Sequence, residues 1–154
     1  MDLSDLIGSQ SILPAVKATS KRQAIQELAG KGKELTGRKE REIFDVLMER
    51  ERLGSTGIGS GIAIPHGKIA GLDGIYGAFA RLSRPVDFDA IDNQPVDLMF
   101  LLLAPEDSGA DHLKALARIA RIVRENGVPE RLREASDATS LHRILSEGAT
   151  PSAA

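Results

Sequence analysis

The sequence contains no cysteine and no tryptophan, and only 3% of its residues are aromatic. Without cysteine there is no disulfide, no thiolate metal site and no thiol nucleophile, so any covalent chemistry falls to another side chain. An excess of charge is also lacking. Twenty basic and 22 acidic residues leave a formal net charge of -2, which gives no electrostatic reason to expect nucleic acid as a partner. The longest apolar run, Leu98 to Ala104, is far short of the roughly 20 residues that span a bilayer, so no membrane insertion is expected. Met1 to Gly8 carries two aspartates and no basic residue, unlike a secretory leader, and the expected location is the cytoplasm.

What is present is the composition of a globular domain: 154 residues, 42% hydrophobic and 27% charged. That length supports one sizeable core. No internal repeat or linker divides the chain. One domain is expected over residues 1–147, followed by a small, polar tail, 148–154, that is expected to fray.

Periodicity places the elements. Ser20 and Gln23 have capping-box spacing ahead of the apolar stripe Ala24, Ile25, Leu28 and Ala29, and Thr36-Gly37 ends that helix. A second helix is predicted from about Lys39 to Arg50, burying Ile43, Phe44, Leu47 and Met48. Ile62-Ala63-Ile64 is a short β-prone run stopped by Pro65. Ile75 to Leu82 and Asp97 to Ala104 read as strands, the second buried on both faces. Pro85 to Phe88 reads as a short strand and Asp92 to Pro95 as a turn. Ser108 and Asp111 suggest another capping box, opening a helix to about Arg124 that Gly127-Val128-Pro129 breaks. A last helical pattern covers Leu141 to Leu145. Mixed helices and strands predict an α/β class, a single-domain α/β/α sandwich in which helices flank a mixed β-sheet.

Of the three histidines, His66 stands out. It follows Pro65 at the end of a short strand and precedes Gly67, which has no side chain to block an approaching partner. Taken alone, these residues equally describe a loop histidine satisfied by a backbone carbonyl. Ile43, Leu47 and Arg50 lie on one helix face, so Arg50 is expected to face the core, where a guanidinium needs an anion or several acceptors. Either a phosphate or an internal partner such as Glu51 or a helix-terminal carbonyl meets that need. In the stretch Gly54 to Gly61, the hydroxyls of Ser55 and Thr56 and the backbone at Gly59 and Gly61 are candidate phosphate contacts; the alternative is a flexible turn. The stretch is neither a Walker loop nor a dinucleotide fingerprint, because glycine spacing and flanking elements are wrong for both. His112 tops the apolar stripe of Leu116, Ile119 and Val123 in the first turn of its helix. There it either satisfies the rim of the core or, kept neutral by the helix N-terminus, donates to a phosphate or orients a second imidazole. His142 reads as a helix-surface residue.

The run Ile58-Gly59, two residues, then Ile62-Ala63-Ile64-Pro65-His66-Gly67, with Glu51 seven positions before Ile58, resembles a known pattern. It is similar to the phosphorylation-site signature of the mannitol/fructose-class enzyme IIA proteins of the sugar phosphotransferase system. The resemblance extends from about Leu3 to Glu147. Arg50-Glu51 with Gly54 to Gly59, and the run Phe88 to Asp97, are most similar to the nitrogen-related branch. The resemblance implies an α/β sandwich and a phosphohistidine at His66, charged by a small HPr-like carrier, with Arg50 and His112 bordering the site. In that branch it implies regulatory output, in which phosphorylation controls partners such as potassium-transport components or sensor kinases.

Elementary chemistry fits that expectation. A neutral imidazole is a competent nucleophile near pH 7. Passing a phosphoryl group between imidazoles requires positioning and charge neutralisation, and neither metal nor cofactor. Three rivals remain at this level. One is a sugar-specific enzyme IIA that passes phosphate from His66 to a IIB domain. Another is an interaction module never phosphorylated. The third is a metal hydrolase using His66, His112 and an aspartate, for which the sequence lacks any HxxxH or HxxE pairing.

Overall fold

The computed structural model describes residues 3–148. Its organising element is β6 (Val96–Pro105), apolar throughout except at Asp97. On one side β6 pairs antiparallel with β5 (Tyr76–Val86); on the other it pairs parallel with β3 (Ile62–Ala63) and β4 (His66–Ile69). β1 (Ile12–Val16) lies parallel to β5 at one edge and β2 (Gly57–Gly59) antiparallel to β3 at the other. The strand order is β1-β5-β6-β3-β2 in one mixed sheet, with β4 also on β6.

Alternation along β6 divides the core in two. Met99, Leu101 and Leu103 face α2 (Lys21–Thr36) and α3 (Glu40–Arg52), packing with Ile25, Leu28, Ile43 and Leu47. Leu98, Phe100 and Leu102 face the other layer, with α4 (Ala110–Val123), α5 (Val128–Glu134), α6 (Ala138–Gly148) and the short α1 (Leu3–Leu6). Ile119, Leu132 and Leu141 fill that side. The expected sandwich, helices on both faces of a mixed sheet, is the observed one.

Local chemistry differs from expectation at several points. Ser20 caps α2, accepting from the Gln23 N–H at 3.2 Å, but the Gln23 side chain reaches back to the Thr19 N–H and hydroxyl, so the box is displaced by one residue. The Ser108 box does not form. Gly109 (φ 58°) is the N-cap of α4, and the buried Ser108 Oγ has no hydrogen-bond partner among the described residues. α4 already ends at Val123, and Gly127-Val128-Pro129 instead opens α5, with Gly127 as its N-cap and proline in the first turn where its missing N–H costs nothing. The separate strand at Pro85 is the end of β5, reached through a register shift after Arg81. β1 carries Pro14, which an edge strand tolerates but which hides its strand pattern. Gly148 closes α6, and the rest of the expected tail, 149–154, lies outside the described residues.

Candidate functional site

His66 is the first residue of β4, a strand that its sequence context conceals. β3 and β4 are one line interrupted by Ile64-Pro65. Ile62 opposes Leu98, Ala63 opposes Met99 and His66 opposes Leu102, all at the same offset, so the proline does not shift the register. The Pro65 carbonyl still accepts from Leu102 N–H at 3.1 Å. Gly67 has a different reason from the one its sequence suggests. A Cβ there would overlap Cγ1 of Val46, so glycine is what lets α3 lie directly on β4. Arg50, one turn beyond Val46, is thereby brought beside His66.

Half-buried His66 lines a cavity of about 320 Å³ together with Arg50, Ser55, Thr56 and the Leu116–Ala120 face of α4. Its Nδ1 lies 2.7 Å from the Ile64 carbonyl oxygen. A carbonyl only accepts, so Nδ1 carries the proton and Nε2 keeps the lone pair. Burial is the main cause that lowers the His66 pKa from its ordinary 6.5; the Ile64 hydrogen bond opposes it, the Arg50 charge adds to it and Glu51 opposes it. The ring is thus held neutral near pH 7. His112, in the first turn of α4, places its ring centroid 5.5 Å from that of His66. It is 7% exposed, and its buried Nε2 has no hydrogen-bond partner among the described residues. Its pKa is lowered as well, by burial first and then by the His66 and Lys68 charges. His142, a partly buried residue of α6, does not line this cavity.

Arg50 does not face the core. It sits half-buried at the cavity rim, donating from Nη1 to the Gly54 carbonyl at 2.9 Å. By the last turn of α3 the buried stripe has drifted by one residue, and the side chain inside is that of Glu51. Phe44, Leu47 and Glu51 also fall on one helical face, a periodic signal that competes with the one placing Arg50 inside. Glu51 pairs with Lys21 of α2 at 2.8 Å, not with Arg50. It also accepts the Thr56 N–H at 3.2 Å and the Thr56 hydroxyl. The Ser55 hydroxyl donates to the Phe88 carbonyl at 2.6 Å and accepts the Gly57 N–H at 3.0 Å.

The glycine-rich stretch is a hairpin, not a flexible turn. Ser60 (φ 58°) and Gly61 (φ 78°) form its two-residue bend between β2 and β3, the left-handed pair that strand twist favours. Gly61 sits under the ion pair of Arg133 with Asp97, where a Cβ would meet both side chains, and Gly59 opens on a separate cavity of about 260 Å³ beside Arg124. The fold therefore gathers His66, Arg50, His112, Ser55 and Thr56, and turns Gly59 and Gly61 elsewhere. Among the described residues no three histidine or acidic side chains converge as a metal site, and no helix is long and apolar enough to cross a membrane.

Residues 5–148 match the family described as phosphoenolpyruvate-dependent sugar phosphotransferase system, EIIA 2. A nitrogen regulatory protein of Bradyrhizobium diazoefficiens is 57% identical over 145 residues, covering 94% of this chain and 95% of the relative. That of Escherichia coli K12 is 39% identical over 152 residues, covering 96% and 91%. The crystal structure of nitrogen regulatory protein IIA-Ntr from Neisseria meningitidis superposes with a TM-score of 0.88 at 35% identity, covering 93% of this chain and 98% of that one.

Proposed function

This chain belongs to the EIIA 2 family of the phosphotransferase system, and on that premise we propose that it is a regulatory phosphocarrier whose acceptor atom is Nε2 of His66. The observation that carries the proposal is the 2.7 Å contact between His66 Nδ1 and the Ile64 carbonyl. It leaves the lone pair on Nε2, in a ring that lines an open cavity with a guanidinium at its rim.

The donor is a phosphohistidine on a small HPr-like protein. The Nε2 lone pair of His66 attacks phosphorus, the donor N–P bond breaks, and its electron pair returns to the donor imidazole. The two bonds are alike, so the step is near thermoneutral and reversible. Arg50 neutralises charge on the equatorial oxygens. His112, neutral and with an Nε2 that has no hydrogen-bond partner among the described residues, supplies a hydrogen bond when that nitrogen bears the proton. The hydroxyls of Ser55 and Thr56 already have partners, so their part is to hold the cavity wall and leave the phosphate to Arg50 and His112. Such a donor places the protein in the cytoplasm. The output is control of protein targets, potassium-transport components or sensor kinases, by the phosphorylation state of His66.

Incubation with the phosphorylated carrier is expected to add one acid-labile, base-stable phosphoryl group by intact mass, and none in His66→Ala. Labelling that survives in His66→Ala would overturn the assignment.

A further inference from the structure

Behind His66 runs an unbroken chain of contacts that reaches Lys21 at the start of α2. The Nδ1–H donates to the Ile64 carbonyl at 2.7 Å. The Ile64 N–H donates to the Thr56 carbonyl at 3.0 Å. The Thr56 N–H and hydroxyl donate to the Glu51 carboxylate, which Lys21 Nζ holds from the other side at 2.8 Å. Lys21 is itself fixed. It donates to the Phe88 carbonyl at 3.3 Å and lies 4.9 Å from the centre of the Phe88 ring. The Glu51 side chain is 3% exposed, and a buried carboxylate with this many donors is a rigid anchor.

We propose that Glu51, anchored by Lys21, is the positioning residue of His66: through Thr56 and Ile64 it fixes the carbonyl that holds the Nδ1 proton. This rests on the phosphocarrier reading above. The chain sets two properties of the nucleophile, which nitrogen carries the lone pair and the direction in which it points. It also serves the step itself. When Nε2 bonds to phosphorus while Nδ1 keeps its proton, the ring becomes cationic. The Ile64 carbonyl and the Glu51 carboxylate then stabilise positive charge on the side away from the phosphate, and Arg50 stabilises negative charge on the phosphate. One turn of α3 thus presents opposite charges to opposite ends of the reacting pair, through neighbouring residues. Lys21 keeps the carboxylate from acting as a bare anion near an incoming phosphate.

The test reads the unphosphorylated protein by ¹⁵N NMR of the imidazoles and, separately, the rate of phosphoryl transfer. The charged or titratable groups that bear on His66 are Arg50 and Glu51 of α3 and His112 of α4, with Lys68 of β4 acting on His112. All except Glu51 stay in place. In Glu51→Gln the Nδ1–H tautomer is expected to lose its dominance and the His66 midpoint to fall, because a carboxylate is removed. Transfer is expected to slow by about tenfold to a hundredfold, the usual effect of a misplaced reacting group. In Lys21→Met the midpoint is expected to move the opposite way, because a neutralising cation is removed, and Lys21→Arg is expected to restore it. Opposite shifts from the two ends of one ion pair are not produced by a role confined to stability.

An unchanged tautomer and midpoint in folded Glu51→Gln would overturn the proposal. If that variant does not fold, Lys21→Met decides, and an unmoved His66 midpoint would overturn it. A wild-type protein that takes no phosphoryl group refutes the functional reading, and the tautomer measurement still decides whether the chain orients His66.

Discussion

A nucleophilic imidazole must be neutral, oriented and close to positive charge, and at His66 each requirement is met by a different neighbour. Burial keeps it neutral, the Ile64 carbonyl orients it, and Arg50 supplies the charge. Arg50→Ala is expected to slow phosphorylation by about tenfold to a hundredfold and leave the fold intact; this is below the usual cost of ~10²–10³ for a buried electrostatic donor, because Arg50 is only half-buried. A normal single-turnover rate would make Arg50 structural, a clip on Gly54. The two histidines also make stability depend on pH. Both have folded-state pKa values below the ordinary 6.5, so on acidification the unfolded chain binds protons that the folded one refuses. Stability is therefore expected to fall from about pH 6.5 downward and to stop falling, on their account, below the folded-state values. Urea unfolding across pH 4 to 8 checks this. The slope just below pH 6.5 is expected to shrink in a His66→Gln/His112→Gln double variant.

At the scale of elements, the site is a matter of how closely α3 approaches β4. Gly67 is the residue that permits it, since Val46 occupies the space a Cβ would take. Gly67→Ala is expected to cost about 1–3 kcal/mol, the range for overpacking a core, and to slow phosphoryl transfer as α3 carries Arg50 away from His66. Gly74, where a Cβ would meet nothing within 4 Å, is the control. Denaturant midpoints and transfer rates of Gly67→Ala and Gly74→Ala, measured together, separate a packing effect from a general glycine effect. Equal behaviour of the two would remove the helix approach as the explanation.

At the scale of the whole molecule, three large apolar side chains remain exposed among the described residues, at the end of α3, on α4 and on the loop after β5. Leu53 (81% exposed) caps α3 just after Arg50, and Leu113 (65%) follows His112 on α4. Ile91 (80%) lies on the loop whose Asp92 accepts the Ser60 N–H of the hairpin. A partner packed dry over His66 would have to bury the nearly two negative charges of a phosphohistidine, which is costly without a cation of its own. The regulatory target is therefore expected to prefer unphosphorylated protein, and His66→Glu to weaken it. A difference of about 1.4 kcal/mol gives tenfold discrimination. Calorimetric titration of both forms against the target measures it, and tighter binding of the phosphorylated form would require a different switch.

The sequence by itself determined the α/β class, the extents of α2, α3 and β6, and His66 as the candidate acceptor, because those features are local. Helical and strand periodicities repeat within a few residues, and the Ile58 to Gly67 run lies in one unbroken stretch. β1 and β4 were not legible. β1 is masked by Pro14, and β4 is too short and glycine-broken to show a pattern until β6 lies beside it. Tertiary structure alone decided which of Arg50 and Glu51 went inside. One residue of helical drift separates them, and the choice depended on Lys21, thirty positions upstream of Glu51, arriving with the opposite charge. It also decided that Gly67 lets α3 lie against β4, and that the Ile64 residue whose carbonyl faces His66 is tied through Thr56 to the Glu51 carboxylate. Long-range contacts of that kind leave no period in a sequence.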